Sequence, residues 1–145
     1  MRAWLVRGFW LGLLHGGVQT GTSAVSVHSP EAAAPTRYIA IGLVVVVGLL
    51  WGALDAWRQL EGRGLAWFAA GLLAGPVAGV VGVAGRSAVD QTGLESLGPA
   101  LTGGAAFTAL LVMATGAVGM GIGNALPQPA TPGQPDGAGQ PDGSR

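Results

Sequence analysis

Cysteine is absent from the 145 residues, which excludes disulfides and thiolate metal sites and leaves the redox compartment unreadable. Lysine is absent too. All seven cations are arginine, which with the abundance of Gly, Ala and Val resembles the coding bias of a high-GC bacterial genome. Charge is scarce: 10% of residues carry one, against about one quarter in a soluble domain. Seven acidic residues balance the seven basic ones, so there is no basic footprint for nucleic acid. A water-soluble chain of this size needs a charged shell, and this composition cannot supply it.

Half of the residues are hydrophobic, and the few charges are gathered into short clusters. Between Arg7 and Glu31, Arg37 and Asp55, Arg63 and Arg86, and Glu95 and Asp136 lie uncharged runs of 23, 17, 22 and 40 residues. A helix needs about 20 mostly apolar residues to cross a bilayer. The pattern predicts an all-α integral membrane bundle of four transmembrane helices, with spans at about 4–27, 38–57, 65–85 and 100–125. Residues 39–53 offer no polar face, and a helix apolar all round belongs in a membrane or deep inside a large protein. The first span is the most polar, carrying His15, Gln19, Thr20, Thr22, Ser23 and Ser26. A cleaved signal peptide ending near Ala24 is the alternative there, but the apolar run from Gly8 to Leu14 is short for a signal core.

The polar stretches Ser29–Arg37, Arg58–Gly64 and Arg86–Pro99 read as loops, the middle one short enough to make spans two and three antiparallel neighbours. Residues 1–125 form the membrane domain on this reading, and 126–145 a disordered Pro/Gly-rich tail. The segment from Pro127 holds five of the nine prolines and repeats Gly-Gln-Pro-Asp-Gly at 133–137 and 139–143, with nothing to bury.

Arginines favour the cytoplasmic side of short loops. With the N-terminus inside, Arg2, Arg7, Arg58 and Arg63 are cytoplasmic, and Arg37 and Arg86 lie outside. This predicts both termini in the cytoplasm of a bacterial cell, with the chain in its inner membrane. Trp4, Trp10, Trp51, Trp57 and Trp67 then fall near the cytoplasmic boundary, where tryptophan is favoured. Helices in lipid associate by close packing rather than hydrophobicity, and small residues four apart permit it. Such sets occur at Gly8, Gly12 and Gly16; at Gly48 and Gly52; at Gly71, Gly75 and Gly79; and at Gly119 and Gly123. With 27 glycines, some of these pairs arise by chance, and the two triplets are the better signals.

Ionisable groups within a span are functional candidates. His15 and Gln19 share a face one turn apart and are candidates to line a solute or proton pathway, the plainer alternative being a hydrogen-bonded packing pair. Asp55 near the end of span two is a third candidate, the plainer alternative being a solvated boundary residue paired with Arg58 or Arg63. Arg7 is expected to snorkel to the interface, and Asp90 and Glu95 to be solvated in an outer loop. No carboxylate stands in the middle of a span, which argues against proton-coupled export of the small multidrug type. No metal-ligand cluster, cofactor motif or nucleophile–base set is present, so the expectation is a protein that is not an enzyme and holds no cofactor.

Four stretches carry a resemblance. Trp4-Leu5-Val6-Arg7-Gly8, Trp51-Gly52-Ala53-Leu54-Asp55, Trp67-Phe68-Ala69-Ala70-Gly71-Leu72 and Ala105–Val112 occur in an order that resembles a family of small bacterial membrane proteins, four-helix members of the drug/metabolite transporter group. The resemblance covers residues 1–124 and rests on order and spacing, each motif being apolar and weak alone. It implies four membrane helices and transport of a small solute, and it carries over no functional residues. Four thin helices leave little room for a path, so transport would favour a homo-oligomer. The alternative is a non-transporting membrane partner or assembly subunit that binds another protein through its glycine faces.

Overall fold

The computed structural model describes residues 3–90 and 96–127, with Asp90 described by its backbone alone. Every regular element among them is helical: α1 (Ala3–His28), a 3-10 turn (Pro30–Ala32), α2 (Ala33–Trp57), α3 (Arg63–Asp90), the single turn α4 (Leu97–Pro99), a π-helical stretch (Ala100–Gly104) and α5 (Ala105–Ala125). Three stretches, Pro30–Trp57, Arg63–Val89 and Leu97–Ala125, are long and apolar enough to cross a membrane. At 26 residues, α1 matches them in length, about 39 Å, but its polar residues keep it out of that set. The 126–145 tail, apart from Leu126 and Pro127, lies outside the described residues, as does Glu95.

Two of the expected loops are largely helix. From Pro30 to Arg37 the chain is helical, because Pro30 opens the 3-10 turn and Pro35 lies in the first turn of α2. At the start of a helix a missing N–H costs no intrahelical bond. At the other loop α3 runs on through Arg86 to Asp90, and helix resumes at Leu97. The turn after α2 is a Schellman motif: Gln59 N–H donates to Ala56 O, and Leu60 N–H to Asp55 O. Gln59 takes the left-handed conformation that this motif requires, with φ 53°. Gly62, φ 63°, then leads into α3.

Neighbours around the bundle run α1, α3, α5, α2 and back to α1. The short turn therefore joins helices that face each other across the diagonal, and the expectation that spans two and three pack side by side is corrected. The cause is glycine placement. A Cβ at Gly8 would lie 2.7 Å from Ala70 O, one at Gly12 2.7 Å from Val77 Cβ, and one at Gly16 2.6 Å from Val81 Cβ. Contacts climb together along both chains, so α1 and α3 are a parallel pair. In the same way Gly48 meets Thr115, Gly52 meets Gly116, Gly119 meets Leu49 and Gly123 meets Ala53, making α2 and α5 a second parallel pair. The two pairs join antiparallel: Gly71 faces Ala109 and Met113, Gly75 faces Ala105, and Gly79 faces Ala100. Close backbone approach of this kind is how helices associate without a hydrophobic drive.

Outward, the surface is apolar. Leu65, Tyr38, Ile39, Leu50 and Leu110 are each at least 66% exposed, and exposed large hydrophobic residues occur on α1, α2, α3 and α5. Inside, Leu11, Trp67, Ala74 and Val112 form the core, with Val47, Trp51 and Met120 against it.

Candidate functional site

Two polar regions interrupt this packing, and α1 contributes to both. At its N-terminal end Arg7 is 5% exposed and Asp55 4% exposed. Arg7 Nη2 donates to Asp55 Oδ2 at 2.9 Å, and Trp67 Nε1 donates to the same oxygen at 2.9 Å. Neither charge suits its own helix. A cation near a helix N-terminus and an anion near a C-terminus both oppose the helix dipole, and each is explained only by the other. Two expectations are corrected here. Asp55 is not a solvated partner of Arg58 or Arg63, and Arg7 does not snorkel outward. The reason is shared: closing the α1–α3 seam brings Arg7 and Trp67 onto the carboxylate, and in an apolar interior an unpaired charge is far costlier than a paired one. Arg63 instead donates to Asn124 Oδ1 across the bundle end, 3.0 Å away.

A cleft of about 570 Å³ opens beside this triad between the start of α1 and the start of α3. Trp4, Arg7, Glu61, Arg63, Leu65 and Ala66 are among its walls.

Two turns further along α1, the second region is built around His15. The side chain is 4% exposed, its Nδ1 has no hydrogen-bond partner, and its ring meets Phe107 edge-on with centroids 6.1 Å apart. Gln19 lies one turn on, and its Oε1 receives a long 3.5 Å bond from Arg86 Nη1. Gly82 makes room for this amide, since a Cβ there would lie 2.6 Å from Gln19 Oε1. Of this pair Gln19 is hydrogen-bonded across helices, to Arg86 of α3, whereas His15 Nδ1 is not. Together with Thr22, Arg37, Gly104 and Phe107 they line a cleft of about 220 Å³. The π-helical stretch before α5 supplies Gly104 to this wall, and the first turn of α5 supplies Phe107. Its widened turn follows Pro99, which has no N–H to donate.

Asp55 is not among the lining of either cleft, so the structure brings together two of the three candidate residues and sets the third apart. The glycines at 8, 12, 16, 48, 52, 71, 75 and 79 all lie at contacts between helices of this chain. Sequence reasoning missed Arg7, Trp67, Arg37 and Arg86 as members of these regions, and Gly82 and Gly116 as contact positions. One signal was available for the triad: three of the quoted stretches each supply one member, Arg7, Asp55 and Trp67. Among the described residues no group of three His, Asp or Glu side chains is placed to hold a metal. No family model and no curated protein matches the chain.

Proposed function

We propose that this chain is a membrane protein of the drug/metabolite transporter type, crossing the bilayer four times and moving a small solute as a homo-oligomer. The supporting observation is the arrangement of two clefts, mostly apolar but each with a few charged or polar side chains in its wall, beneath an apolar exterior. Arg7 on one and His15 on the other stand eight residues apart on α1, about 12 Å of helix. The Leu11 side chain, 1% exposed, lies between them in the packed core. Recesses with charged or polar groups in their walls, separated by a packed apolar residue, suit a solute path closed at its centre, as alternating access requires.

A fourth span is supported by how α1 disposes of its polar groups. Arg7 is neutralised by Asp55, and Thr20, Thr22, Ser23 and Ser26 each donate to a carbonyl three or four residues back. Hydroxyls satisfied within their own helix are tolerated in hydrocarbon. The excess of arginine at the α1 start and the α2–α3 turn supports a cytoplasmic N-terminus. Reporter fusions at Ala32, Gly62, Thr92 and Ala138 are expected to alternate out, in, out, in.

Transport itself is tested in proteoliposomes given radiolabelled benzoate, choline and glycerol, an anion, a cation and a neutral solute. Protein-dependent flux of one of them is expected, and no flux of any sinks the reading. One observation favours the alternative of an assembly subunit: Gly17 and Gly21, four apart on α1, face open space. Gly71 and Gly75 cannot serve a partner in that way, because α5 already covers them. A stoichiometric partner lost on Gly17→Leu, with no flux, selects this second reading.

A further inference from the structure

The cleft around His15 has a chemistry of its own. Its one charged lining residue is Arg37, and none of its lining side chains is a carboxylate. Among the described residues Arg37 has no carboxylate partner, so its guanidinium fork is uncommitted. Gln19 accepts from Arg86 through Oε1, which leaves its NH₂ to donate. Thr22 donates its hydroxyl hydrogen to the Gln19 carbonyl and keeps only acceptor capacity. Inside, His15 and Phe107 form an apolar, flat-sided end. His15 Nδ1 is a buried nitrogen without a partner, whereas more than nine in ten buried polar groups have one. A second recess of about 400 Å³ shares Thr22 and Arg37 and adds Ser23, Ser26 and Tyr38, widening the mouth.

From this arrangement we infer that the His15–Arg37 cleft binds a small organic monocarboxylate, its carboxylate on Arg37 and Gln19 and its apolar body against Phe107 and His15. The proposal rests on the transport reading and deepens it by naming the solute class. Three arguments converge on that ligand. A planar guanidinium matches a carboxylate bidentately, two parallel N–H···O bonds fixing its orientation. One fork and one amide neutralise a single charge, whereas a phosphate dianion calls for more donors than the walls supply. The inner cleft, about 220 Å³, is below the roughly 300–1,000 Å³ of drug-sized pockets, which suits a metabolite-sized apolar body there. A lipid headgroup shares the anionic chemistry, because the recess opens between α1 and α2, and the test separates the two sources.

The experiment uses the full chain in phosphatidylcholine nanodiscs and measures equilibrium binding of tritiated benzoate. Saturable binding is expected, competed by unlabelled benzoate but not by neutral benzamide or inorganic phosphate. Arg37→Gln is expected to weaken it at least about tenfold, the loss of one charge-assisted hydrogen-bond pair. Arg37 is exposed and unpaired, so this variant retains the fold, and Arg58→Gln serves as the control that leaves affinity unchanged. Equal competition by benzamide, or unchanged affinity in Arg37→Gln, overturns the proposal. So does loss of benzoate binding when phosphatidylglycerol is added to the discs, which identifies a headgroup as the occupant. The two readings fail separately. Benzoate bound without flux keeps the site and sinks transport, while choline or glycerol flux without benzoate binding sinks the anion site alone.

Discussion

The two polar regions on α1 differ in one respect that decides what each can do. At the Arg7 end the charges and the indole N–H are matched to one another, donor against acceptor, inside the packed core. At the His15 end the donors outnumber their partners: among the described residues Arg37 has no carboxylate partner, and Gln19 keeps its amide protons. A buried cluster whose charges cancel holds helices in register and presents no net charge to a ligand. A cluster beside a cleft with an uncompensated cation keeps donors that a ligand can take up. Two polar regions eight positions apart on α1 thus point to scaffold in one case and recognition in the other.

The most damaging change acts on the saturated region. Asp55→Ala leaves Arg7 buried without its counter-charge and Trp67 without its acceptor, and breaking such a pair costs about 3–5 kcal/mol. Unfolding in mixed micelles should show that loss. Replacing both charges, Arg7→Met with Asp55→Leu, should recover most of it, because a well-packed apolar pair is often as stable as a buried ion pair. A double variant as unstable as Asp55→Ala alone shows that the pair does more than neutralise itself.

Next in size is the seam that sets both regions in place. Gly12→Leu must displace Val77 and the Ala74 carbonyl, with an expected cost of about 1–3 kcal/mol. Gly17→Leu on the open side of the same helix meets nothing and should stay within about 0.5 kcal/mol of the parent. Leucine is the better helix former at both positions, so equal losses show that the α1–α3 contact does not set the cost of a larger residue.

This contrast also marks what was legible in the sequence. Helix existence was legible from uncharged runs, and glycines four apart marked faces of close approach without naming their partners. Periodicity states which side of a helix is crowded, but not which helix crowds it. Gly8, Gly12 and Gly16 meet α3 rather than α2, and nothing in either sequence stretch distinguishes those options. The order of helices around the bundle was lost for the same reason, since a short turn fixes direction and leaves adjacency to packing. Asp55 was misread because its sequence neighbours Arg58 and Arg63 are nearer in number than Arg7. Desolvation selects the partner that shares the interior, and burial is a property of the assembled bundle. His15 and Gln19 were visible because both are polar in a run that otherwise needs no polarity. Arg37, read as a loop residue, joined them only once Pro30–Arg37 proved helical.

A smaller effect separates recognition from scaffolding at the cleft mouth. Arg37→Gln is expected to change stability by less than about 0.5 kcal/mol, as for an exposed side chain outside any network. Its effect belongs to ligand affinity alone. A stability loss comparable with that of Gly12→Leu shows Arg37 holding the bundle together, and the contrast between the two ends disappears.

The smallest change is the sharpest, because the two readings of His15 differ in sign. As a packing residue its nitrogens would contribute hydrogen bonds, and His15→Leu would destabilise by about 1–3 kcal/mol through the partners left unpaired. With Nδ1 already unpartnered, leucine removes a buried polar atom that nothing satisfies and keeps an apolar contact with Phe107. Stability should then be unchanged or slightly raised, while benzoate binding falls because leucine lacks the flat ring face against which the benzoate ring lies. That opposition, a variant more stable and less able to bind, is the signature of a residue kept for its ligand at the expense of its fold. A destabilised His15→Leu protein that binds benzoate as the parent does assigns His15 to packing, and leaves Arg37 and Gln19 to hold the anion unaided.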